Sequence, residues 1–461
     1  MELERPISTF KEIIQVDSMI RVITHLDTDG LMSASIMCKT LKRLNQKFWI
    51  TTVKQLETDF LEQIINESKS QKWKAVFFLD LGSGNLKQIE KLSKNCKVFV
   101  LDHHELEKDF DREKLNKDNL FLVNPMISEN ERISGAGVTY LFAKQLNDSN
   151  KDLSQFAVLG IIGDLMEKER DKTSNSIFED AKQCGMQIKK GLTLFAGTRP
   201  LHKSLEYSSN IFIPGVTGSS LGAIQFLREI GIDFKDANNK YRTMLELDEN
   251  ELSRLITAVL LRRIGGGHSQ DILGNIYLIK FYGHLYDARE LSAMINACGR
   301  LNYSSLALAF AIGSKTAKEK VQEVYTKYKQ HIVKSLNWVH TNKKIEGNNY
   351  VIVNARNSIK DTMIGTVTSI LASSSVYPKG TILVGLAYRD DNKIKVSARL
   401  SGMYENNHAQ NLSNLLKEAL GQIEGEVGGH ANAAGCLIDK SCENNFLESL
   451  QKTMSIQQIK L

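Results

Sequence analysis

The stretch MIRVITHLDTDG, residues 19–30, joins a short apolar run to a row of polar side chains. Its first five residues are rich in β-branched types and too few for a helix, which predicts a β-strand. Residues two apart point the same way at an extended strand end, so His25, Asp27 and Asp29 would face one side. Gly30 permits a tight turn into a following helix. The pattern therefore predicts a strand that ends in side chains suited to holding cations.

Four more apolar runs of strand length follow before residue 125, and they alternate with amphipathic segments. The predicted strands are Phe48–Val53, Val76–Leu79, Val98–Leu101 and Leu120–Val123, with helices such as Phe60–Ser68 and Leu86–Leu92 between them. Strands that alternate with helices indicate βαβ units and a parallel sheet covered on both faces. Two further helical stretches, Gly137–Leu146 and Gln155–Met166, complete a predicted α/β domain over residues 1–185.

Two other predicted strands also end in polar residues. FLDLG, residues 78–82, contains Asp80, and LDHHE, residues 101–105, contains Asp102, His103 and His104. Asp164 lies on or beside the helix that begins near residue 155. The carboxyl ends of parallel strands gather at one edge of a sheet, so we expect these side chains to converge.

A metal site explains this convergence better than separate structural roles. A single Asp after a strand is most often a turn residue or a helix cap. Several carboxylates and histidines at one sheet edge, however, would be costly without a cation to neutralise them. Mixed imidazole and carboxylate ligands suit Mn²⁺ or Mg²⁺.

The character of the chain changes after about residue 190. Strand-like runs thin out and long charged segments, such as Asp248–Arg263 and Lys315–Trp338, predict a largely helical middle region over residues 186–345. The strand pattern returns in Tyr350–Asn354, Thr381–Tyr388 and Lys393–Ala398. We therefore expect a smaller C-terminal α/β domain over residues 346–461.

Composition narrows the class of protein only modestly. The 461 residues are 42% hydrophobic and 24% charged, which is ordinary for a globular protein. A net charge of +6 is compatible with a polyanionic partner but does not demand one. Six scattered cysteines without a CxxC pair, short apolar runs and an N-terminus without a leader pattern favour a cytoplasmic location without membrane contact.

Together the motifs resemble a known family. HLDTDG, FLDLG, LDHHE and GIIGDLM resemble, in order, the four motifs of the DHH phosphoesterases, and GGHANAAG at residues 428–435 resembles the glycine-rich motif of the DHH-associated C-terminal domain. YDARE at 286–290 and ACGR at 297–300 resemble the middle region of archaeal RecJ-like nucleases. The resemblance implies a two-metal exonuclease that acts on single-stranded DNA or RNA in DNA replication or repair.

The resemblance also implies roles for individual residues. One cation would be held by His25, Asp27 and Asp80, and the second by Asp29, Asp80, His103 and Asp164. Asp102 would orient a histidine, and His104 would contact the scissile phosphate or the attacking water. Bacterial RecJ begins its first motif with Asp where this chain has His25, which should alter metal preference more than reaction type. The implied mechanism is in-line attack by water activated between two divalent cations, Mn²⁺ before Mg²⁺.

The C-terminal motif predicts a phosphate-binding element. Ser397 and Arg399 share one face of a predicted strand and resemble the Ser-x-Arg element of the family, in which arginine can hold a phosphate. Gly428 and Gly429 would let backbone N–H groups approach that phosphate, and His430 would donate to one of its oxygens. A helix beginning at Ala431 would direct its positive end toward the anion. A similar GGGH run at residues 265–268 is assigned no chemistry.

Two other functions stay open. The chain would hydrolyse short oligonucleotides or small nucleotides in one of them, although such small DHH enzymes usually lack a middle region of this size. In the other it would be a replication scaffold like the RecJ-derived subunit of the eukaryotic replicative helicase. Scaffolds tend to lose metal ligands, whereas every ligand position is filled here. A replication or repair protein is a possible partner in addition to single-stranded nucleic acid.

Overall fold

A computed structural model describes residues 3–14, 19–108, 110–111, 113, 115, 119–128, 131–168, 170–193, 196–208, 213–262, 273–373, 376–402, 411–430 and 432–457. The side chains of Ser128, Glu426, His430, Ile456 and Gln457 are not described.

Five parallel strands form the N-terminal sheet. They are β1 (Met19–His25), β2 (Lys47–Val53), β3 (Ala75–Leu79), β4 (Lys97–Leu101) and β5 (Leu120–Val123). Their order is β2-β1-β3-β4-β5, and each neighbouring pair is parallel. The predicted parallel α/β sheet is confirmed, and the strand ends differ from the predicted ones by at most two residues.

Helices cover both faces of this sheet, as predicted. They are α1 (Glu4–Ile13), α2 (Thr28–Arg43), α3 (Thr58–Gln71), α4 (Leu86–Leu92), α5 (Pro125–Ser128), α6 (Gly135–Leu146), α7 (Ser154–Gly163) and α8 (Lys172–Gln183). On one face, Val76 and Val98 of the sheet share an apolar cluster with Leu61 of α3 and Ile89 of α4. On the other face, the ring of Phe77 lies 5.1 Å from Phe10 of α1 and 5.8 Å from Phe142 of α6.

The middle region is helical but also contains a small sheet that the sequence did not predict. Its helices are α9 (Leu201–Glu206), α10 (Ser220–Glu229), α11 (Glu249–Arg262), α12 (Ala288–Arg300), α13 (Ser304–Ala311) and α14 (Lys315–Thr341). Three antiparallel strands accompany them: β6 (Gln187–Leu192), β7 (Leu273–Phe281) and β8 (His284–Asp287). Most of β6 is exposed and it includes two lysines and a glycine, so its composition concealed the strand. The GGGH run lies outside the described residues.

A six-stranded mixed sheet forms the C-terminal part. Its elements are β9 (Ile345–Glu346), β10 (Tyr350–Arg356), α15 (Asp361–Ser373), β11 (Ile382–Tyr388), β12 (Lys393–Leu400), α16 (Leu412–Leu420), β13 (Gly425–His430), β14 (Ala433–Asp439) and α17 (Glu443–Gln457). The order is β13-β14-β12-β11-β10-β9. One face packs against α16 and α17, where Leu416 and Phe446 are fully buried. The predicted C-terminal α/β architecture is confirmed.

The predicted helix after the glycine-rich motif is wrong. Ala431 lies outside the described residues, but Ala433 begins β14, which pairs with both β12 and β13. The small side chains of Ala433, Ala434 and Gly435 fit between two neighbouring strands, and this packing overrides the helical tendency of alanine.

Residue contacts divide the chain into two compact units. One comprises residues 1–204, 233–253 and 271–325, and the other comprises 205–232, 254–270 and 326–461. The three-domain division at residues 185 and 345 stays a prediction. Within the described residues, no helix combines the length and apolarity needed to cross a membrane.

Candidate functional site

The ends of three adjacent strands bring most of the predicted metal ligands together. His25 ends β1, and Asp80 and Asp102 directly follow β3 and β4. The side chain of Asp27 caps α2 by accepting a hydrogen bond from the Gly30 amide at 3.1 Å. Because β1, β3 and β4 are neighbours in the sheet, these residues meet at its carboxyl edge.

One group of donor atoms comes from His25, Asp27 and Asp80. The ligand atoms of the three residues all lie within 4.8 Å of one another. His25 Nδ1 is 2.9 Å from Asp27 Oδ2 and 3.6 Å from Asp80 Oδ2. Burial lowers the pKa of His25, but the facing carboxylates of Asp27 and Asp80 outweigh it and raise that pKa to about 10. The group therefore favours a positive charge at its centre.

A second group consists of Asp29, His103 and Asp164, which stands at the end of α7. His103 Nε2 lies 3.8 Å from Asp29 Oδ2 and 3.3 Å from Asp164 Oδ2. The same nitrogen is 3.2 Å from Asp80 Oδ1. Asp80 thus directs one oxygen toward each group, as expected of a ligand shared by two ions.

The electrostatics of the second group call for a cation. Burial, followed by the charge of Asp80, raises the pKa of Asp29 to about 8. Burial and the charge of Asp29 also raise the pKa of Asp164. Several carboxylates that resist ionisation together would be stabilised by a divalent ion, which lets each carry its charge.

Two buried atoms at the centre support this assignment. Asp80 Oδ1 and His103 Nε2 are shielded from solvent and face each other at 3.2 Å, but neither makes a hydrogen bond of normal geometry among the described residues. Buried polar atoms without partners are rare because they lose their hydration without compensation. Carboxylate oxygens and imidazole nitrogens are donors that Mn²⁺ accepts, so the residues present fit a pair of divalent cations.

Helix α6 positions the second group, a contribution that the sequence motifs did not predict. Asp29 accepts hydrogen bonds from the amides of Gly135 at 2.5 Å and Ala136 at 3.0 Å, in the first turn of α6. A Cβ atom on Gly160 of α7 would lie only 2.2 Å from Asp29 Oδ1. The run of small residues from Ser134 to Gly137 was the available signal, since it marks a helix start that backbone or carboxylate groups can approach closely.

His104 is held by Asp102, which is the arrangement expected of the predicted pair. Asp102 Oδ1 lies 2.7 Å from His104 Nδ1, and Asp102 Oδ2 accepts from the Ser83 amide at 2.8 Å. Burial raises the pKa of Asp102, but the facing His104 outweighs it and lowers that pKa. His104 also forms a group with Asp80 and His103 whose donor atoms lie within 4.8 Å. Its side chain is 45% exposed, so it is accessible beside the metal ligands.

Helix α12 adds a cation, Arg300, which is the last residue of the ACGR stretch and to which the sequence motifs assigned no role. Burial raises the pKa of Asp27, but the facing His25 and the positive charge of Arg300 outweigh burial and lower that pKa. Arg300 Nε is shielded from solvent and has no hydrogen-bond partner among the described residues. The guanidinium group is therefore suited to an anion beside the first group.

Ser397, Arg399 and Gly428 share one face of the C-terminal sheet, whereas Gly429 is aligned through Ala434 with the buried Ala398. In the strand registers, Ser397 of β12 is aligned with Gly435 of β14 and through it with Gly428 of β13. Arg399 and His430 are aligned in the same way through Ala433. Ser397 and Arg399 alternate with the buried core residues of β12, so they lie on the opposite face. The side chain of His430 lies outside the described part of the chain.

Arg399 is fixed on this face by its neighbours. Its Nε donates to Ser369 Oγ of α15 at 2.9 Å, and its Nη1 donates to the Ala398 carbonyl at 2.8 Å. Asp390 and Asp391, which precede β12, lie beyond the other end of the strand, about 20 Å from Arg399 at the usual rise of a strand, so they are too far away to pair with it. Asp391 instead pairs with Arg389 at 2.7 Å.

Comparison with known proteins identifies three domains by sequence. Residues 19–163 match the DHH family, N-terminal domain; residues 195–276 match the DHH-CID domain; and residues 347–455 match the DHHA1 domain. An uncharacterized protein of Methanocaldococcus jannaschii is 28% identical over 99% of this chain and 98% of its own length.

Several solved structures share the fold. RecJ from Thermus thermophilus with Mn²⁺ is 15% identical, with a TM-score of 0.60 over 98% of this chain, which spans 55% of the RecJ chain. Exonuclease RecJ bound to manganese is 14% identical, with a TM-score of 0.58 over 98% of this chain and 93% of that one. CDC45 from Entamoeba histolytica is 12% identical, with a TM-score of 0.63 over 98% of this chain and 97% of its own. The TM-scores show a common fold, and sequence identities this low show nothing beyond the fold.

Proposed function

We propose that this chain, which belongs to the DHH family and carries a DHH-associated C-terminal domain, is a metal-dependent exonuclease that hydrolyses phosphodiester bonds in single-stranded DNA or RNA. The observation that carries the proposal is Asp80, whose two oxygens face two separate groups of ligand atoms. Two divalent ions held by these groups would supply the activated water and the positive charge that phosphodiester hydrolysis requires.

The six proposed ligands divide between two ions. His25, Asp27 and Asp80 would hold one ion, and Asp29, Asp80, His103 and Asp164 the other. When bound, such ions lower the pKa of water and stabilise the attacking and leaving oxygens. We expect Mn²⁺ first and Mg²⁺ second; solved structures of Thermus RecJ contain one or the other.

The other polar residues at this edge would act on the substrate. Asp102 holds His104 through Nδ1, which turns Nε2 toward a non-bridging oxygen of the scissile phosphate. Partial burial lowers the pKa of His104, but the neighbouring carboxylate of Asp102 outweighs that effect and raises the pKa. His104 would therefore act as a hydrogen-bond donor to the phosphate. Arg300 would place a second positive group against the same phosphate.

The C-terminal face would bind the nucleotide at the end of the strand. Arg399 is held in place by Ser369, and Ser397 stands two residues before it on the same face. A Cβ atom on Gly428 would meet nothing within 4 Å, so a phosphate would have room to approach the backbone of β13 there, whereas Gly429 fits closely against Ala433 and Ala434. We infer that Ser397, Arg399 and His430 with the two glycines bind substrate phosphates.

A second candidate is a replication scaffold, and the similarity to CDC45 favours it. A scaffold does not need a metal centre, whereas the proposed nuclease does. The six clustered metal ligands therefore favour the nuclease. Hydrolysis of short oligonucleotides or small nucleotides is a further alternative. A replication or repair protein could bind the chain in any of these cases.

Cleavage of end-labelled strands tests the proposal. Long single-stranded DNA and RNA, a short oligomer of the same sequence and a duplex are incubated with Mn²⁺, with Mg²⁺ and with a chelator. We expect metal-dependent shortening of the long single strands from one end. Absence of cleavage of every substrate with either metal would favour the scaffold, and cleavage of the short oligomer alone would favour the oligonucleotide hydrolase.

A further inference from the structure

Helix α12 contacts the segment that carries the first metal motif. Thr28 Oγ1, at the start of α2, donates to the Ser292 carbonyl at 2.9 Å. Gly299 packs so closely on the Leu26 carbonyl that a Cβ atom there would lie 1.7 Å from its oxygen. The loop that contains Asp27 is therefore held between its own strand and α12.

The same helix reaches the segment that carries Asp164 through a buried ion pair. Arg289 Nε lies 3.8 Å from Glu167 Oε1, and the two side chains are only 14% and 9% exposed. Arg289 Nη2 donates to the Asn275 carbonyl of β7 at 2.8 Å, which fixes the guanidinium group from its other side. Glu167 Oε2 and Arg289 Nη1 are shielded from solvent without hydrogen-bond partners among the described residues. The pair is therefore largely shielded from water, and the charge of Arg289 also acts on the buried Asp287.

The turn between Asp164 and Glu167 is strained. Leu165 has φ +59°, a left-handed conformation that leucine rarely adopts. Its side chain is 71% exposed, so packing of that side chain does not hold the turn in place. Local hydrogen bonds run from the Leu165 amide to Ile162 and from the Met166 amide to Ile161. A strained turn persists only where surrounding contacts fix it, and the Glu167 ion pair provides such a contact at its far end.

We propose that Arg289 is a positioning residue for the metal centre. It acts through Glu167, which anchors the turn and thereby sets the place of the Asp164 carboxylate. Arg289 would govern the ion of the Asp29, His103 and Asp164 group and leave the His25, Asp27 and Asp80 group unaffected. The inference rests on the proposed metal centre, but not on cleavage of any particular substrate.

Calorimetric titration of the metal-free full chain with Mn²⁺ tests this role. We expect two sites in the wild type, and in Arg289→Met one site weakened roughly 10- to 100-fold with the other unchanged, as for other groups that orient metal ligands. Asp164→Asn should weaken the same site. Adding Arg289→Met to Asp164→Asn should cause little further loss, because both changes act through one carboxylate.

Arg242→Met is the matched control. Arg242 pairs with Glu251 at 2.5 Å in the same compact unit, and both side chains are similarly buried, at 17% and 13% exposed. This variant should keep both Mn²⁺ affinities at the wild-type level. If unpaired Glu167 prevents Arg289→Met from folding, the variant Glu167→Gln with Arg289→Met removes both charges together and should show the same selective loss.

Equal weakening of both sites in Arg289→Met, unchanged binding, or a selective loss in Arg242→Met would overturn the positioning role. The outcome is separate from that of the proposed function. A wild type that binds two ions but cleaves no strand would reject the nuclease, while the titration would still decide the role of Arg289.

Discussion

The metal centre and the polar face of β12 differ in the types of residue that form them and in how deeply those residues are buried. At the metal centre, ionisable side chains from four segments converge, and Asp29 and Asp80 are almost fully buried. The face of β12 that carries Ser397 and Arg399 also carries Lys393 and Lys395, and the strand positions aligned with Ser397 and Arg399 are glycine and alanine. Charges gathered in a buried place need a cation, whereas small residues leave room for a ligand and cost little without it. Substitutions should therefore have larger effects at the first region than at the second.

The largest effect is expected for Asp80→Ala. This change removes an oxygen from each ligand group, so both ions should be lost or displaced, and the rate should fall roughly a thousandfold or more. Cleavage of labelled single strands at saturating Mn²⁺ measures the loss. A variant that keeps more than about a tenth of the wild-type rate would contradict the shared-ligand role.

Asp80→Asn separates the effect of the lost negative charge from the effect of backbone strain at residue 80. Asp80 has φ +59°, and asparagine adopts that conformation more readily than alanine does. Asp80→Asn should therefore keep the fold, as circular dichroism would show, and still lose activity. Activity in Asp80→Asn but not in Asp80→Ala would mean that backbone distortion, and not the missing charge, inactivates the alanine variant.

His104→Ala should have the next largest effect, and a different pattern. If His104 touches substrate and not metal, turnover should fall roughly 10²- to 10⁴-fold while Mn²⁺ affinity stays nearly unchanged. Calorimetric Mn²⁺ titration beside the cleavage assay checks both parts. Complete loss of one ion would make His104 a direct ligand, which its proximity to Asp80 and His103 also permits.

The difference between the two regions also explains what the sequence revealed. Short apolar runs, too short for helices and rich in β-branched or aromatic residues, were enough to predict the five N-terminal strands. Three of these strands, β1, β3 and β4, end in or are followed by Asp or His. β6 was missed because its lysines and glycine resemble a loop until β7 pairs with it. Near the C-terminus, alanines suggested a helix, but pairing between strands decided otherwise.

Contacts between distant segments were beyond the reach of any local pattern. The support of Asp29 by the amides of α6 joins residues more than a hundred positions apart. The Glu167–Arg289 pair likewise joins two segments whose separate sequences look like ordinary solvated charges. Metal ligands can be predicted from their chemical type, whereas the groups that hold them in place become visible only in the folded chain.

Arg399→Ala should have a smaller effect, mainly on substrate binding. A charge-assisted hydrogen bond contributes about 1.5–3 kcal/mol, so kcat/KM should fall roughly ten- to a hundredfold. Mn²⁺ affinity should not change. Rates measured against strand concentration separate binding from turnover, and unaltered kinetics would remove Arg399 from the substrate site.

The smallest effect is expected for Gly428→Ala, with Gly429→Ala as its structural counterpart. A Cβ atom on Gly428 meets nothing within 4 Å, whereas one on Gly429, at φ +114°, would lie 2.4 Å from the Ala433 carbonyl oxygen. Gly429→Ala should therefore lower the free energy of unfolding by about 1–3 kcal/mol, and Gly428→Ala by less than about 0.5 kcal/mol. If a phosphate approaches the β13 backbone at Gly428, the added methyl group should displace one hydrogen bond to that phosphate even though the fold is stable. Such a bond contributes about 0.5–1.5 kcal/mol, so KM should rise roughly two- to tenfold. Chemical denaturation and strand-cleavage kinetics on both variants measure the two effects. A Gly428→Ala variant with wild-type KM and wild-type stability would place the phosphate elsewhere on the face and leave Ser397, Arg399 and His430 as its remaining candidate contacts.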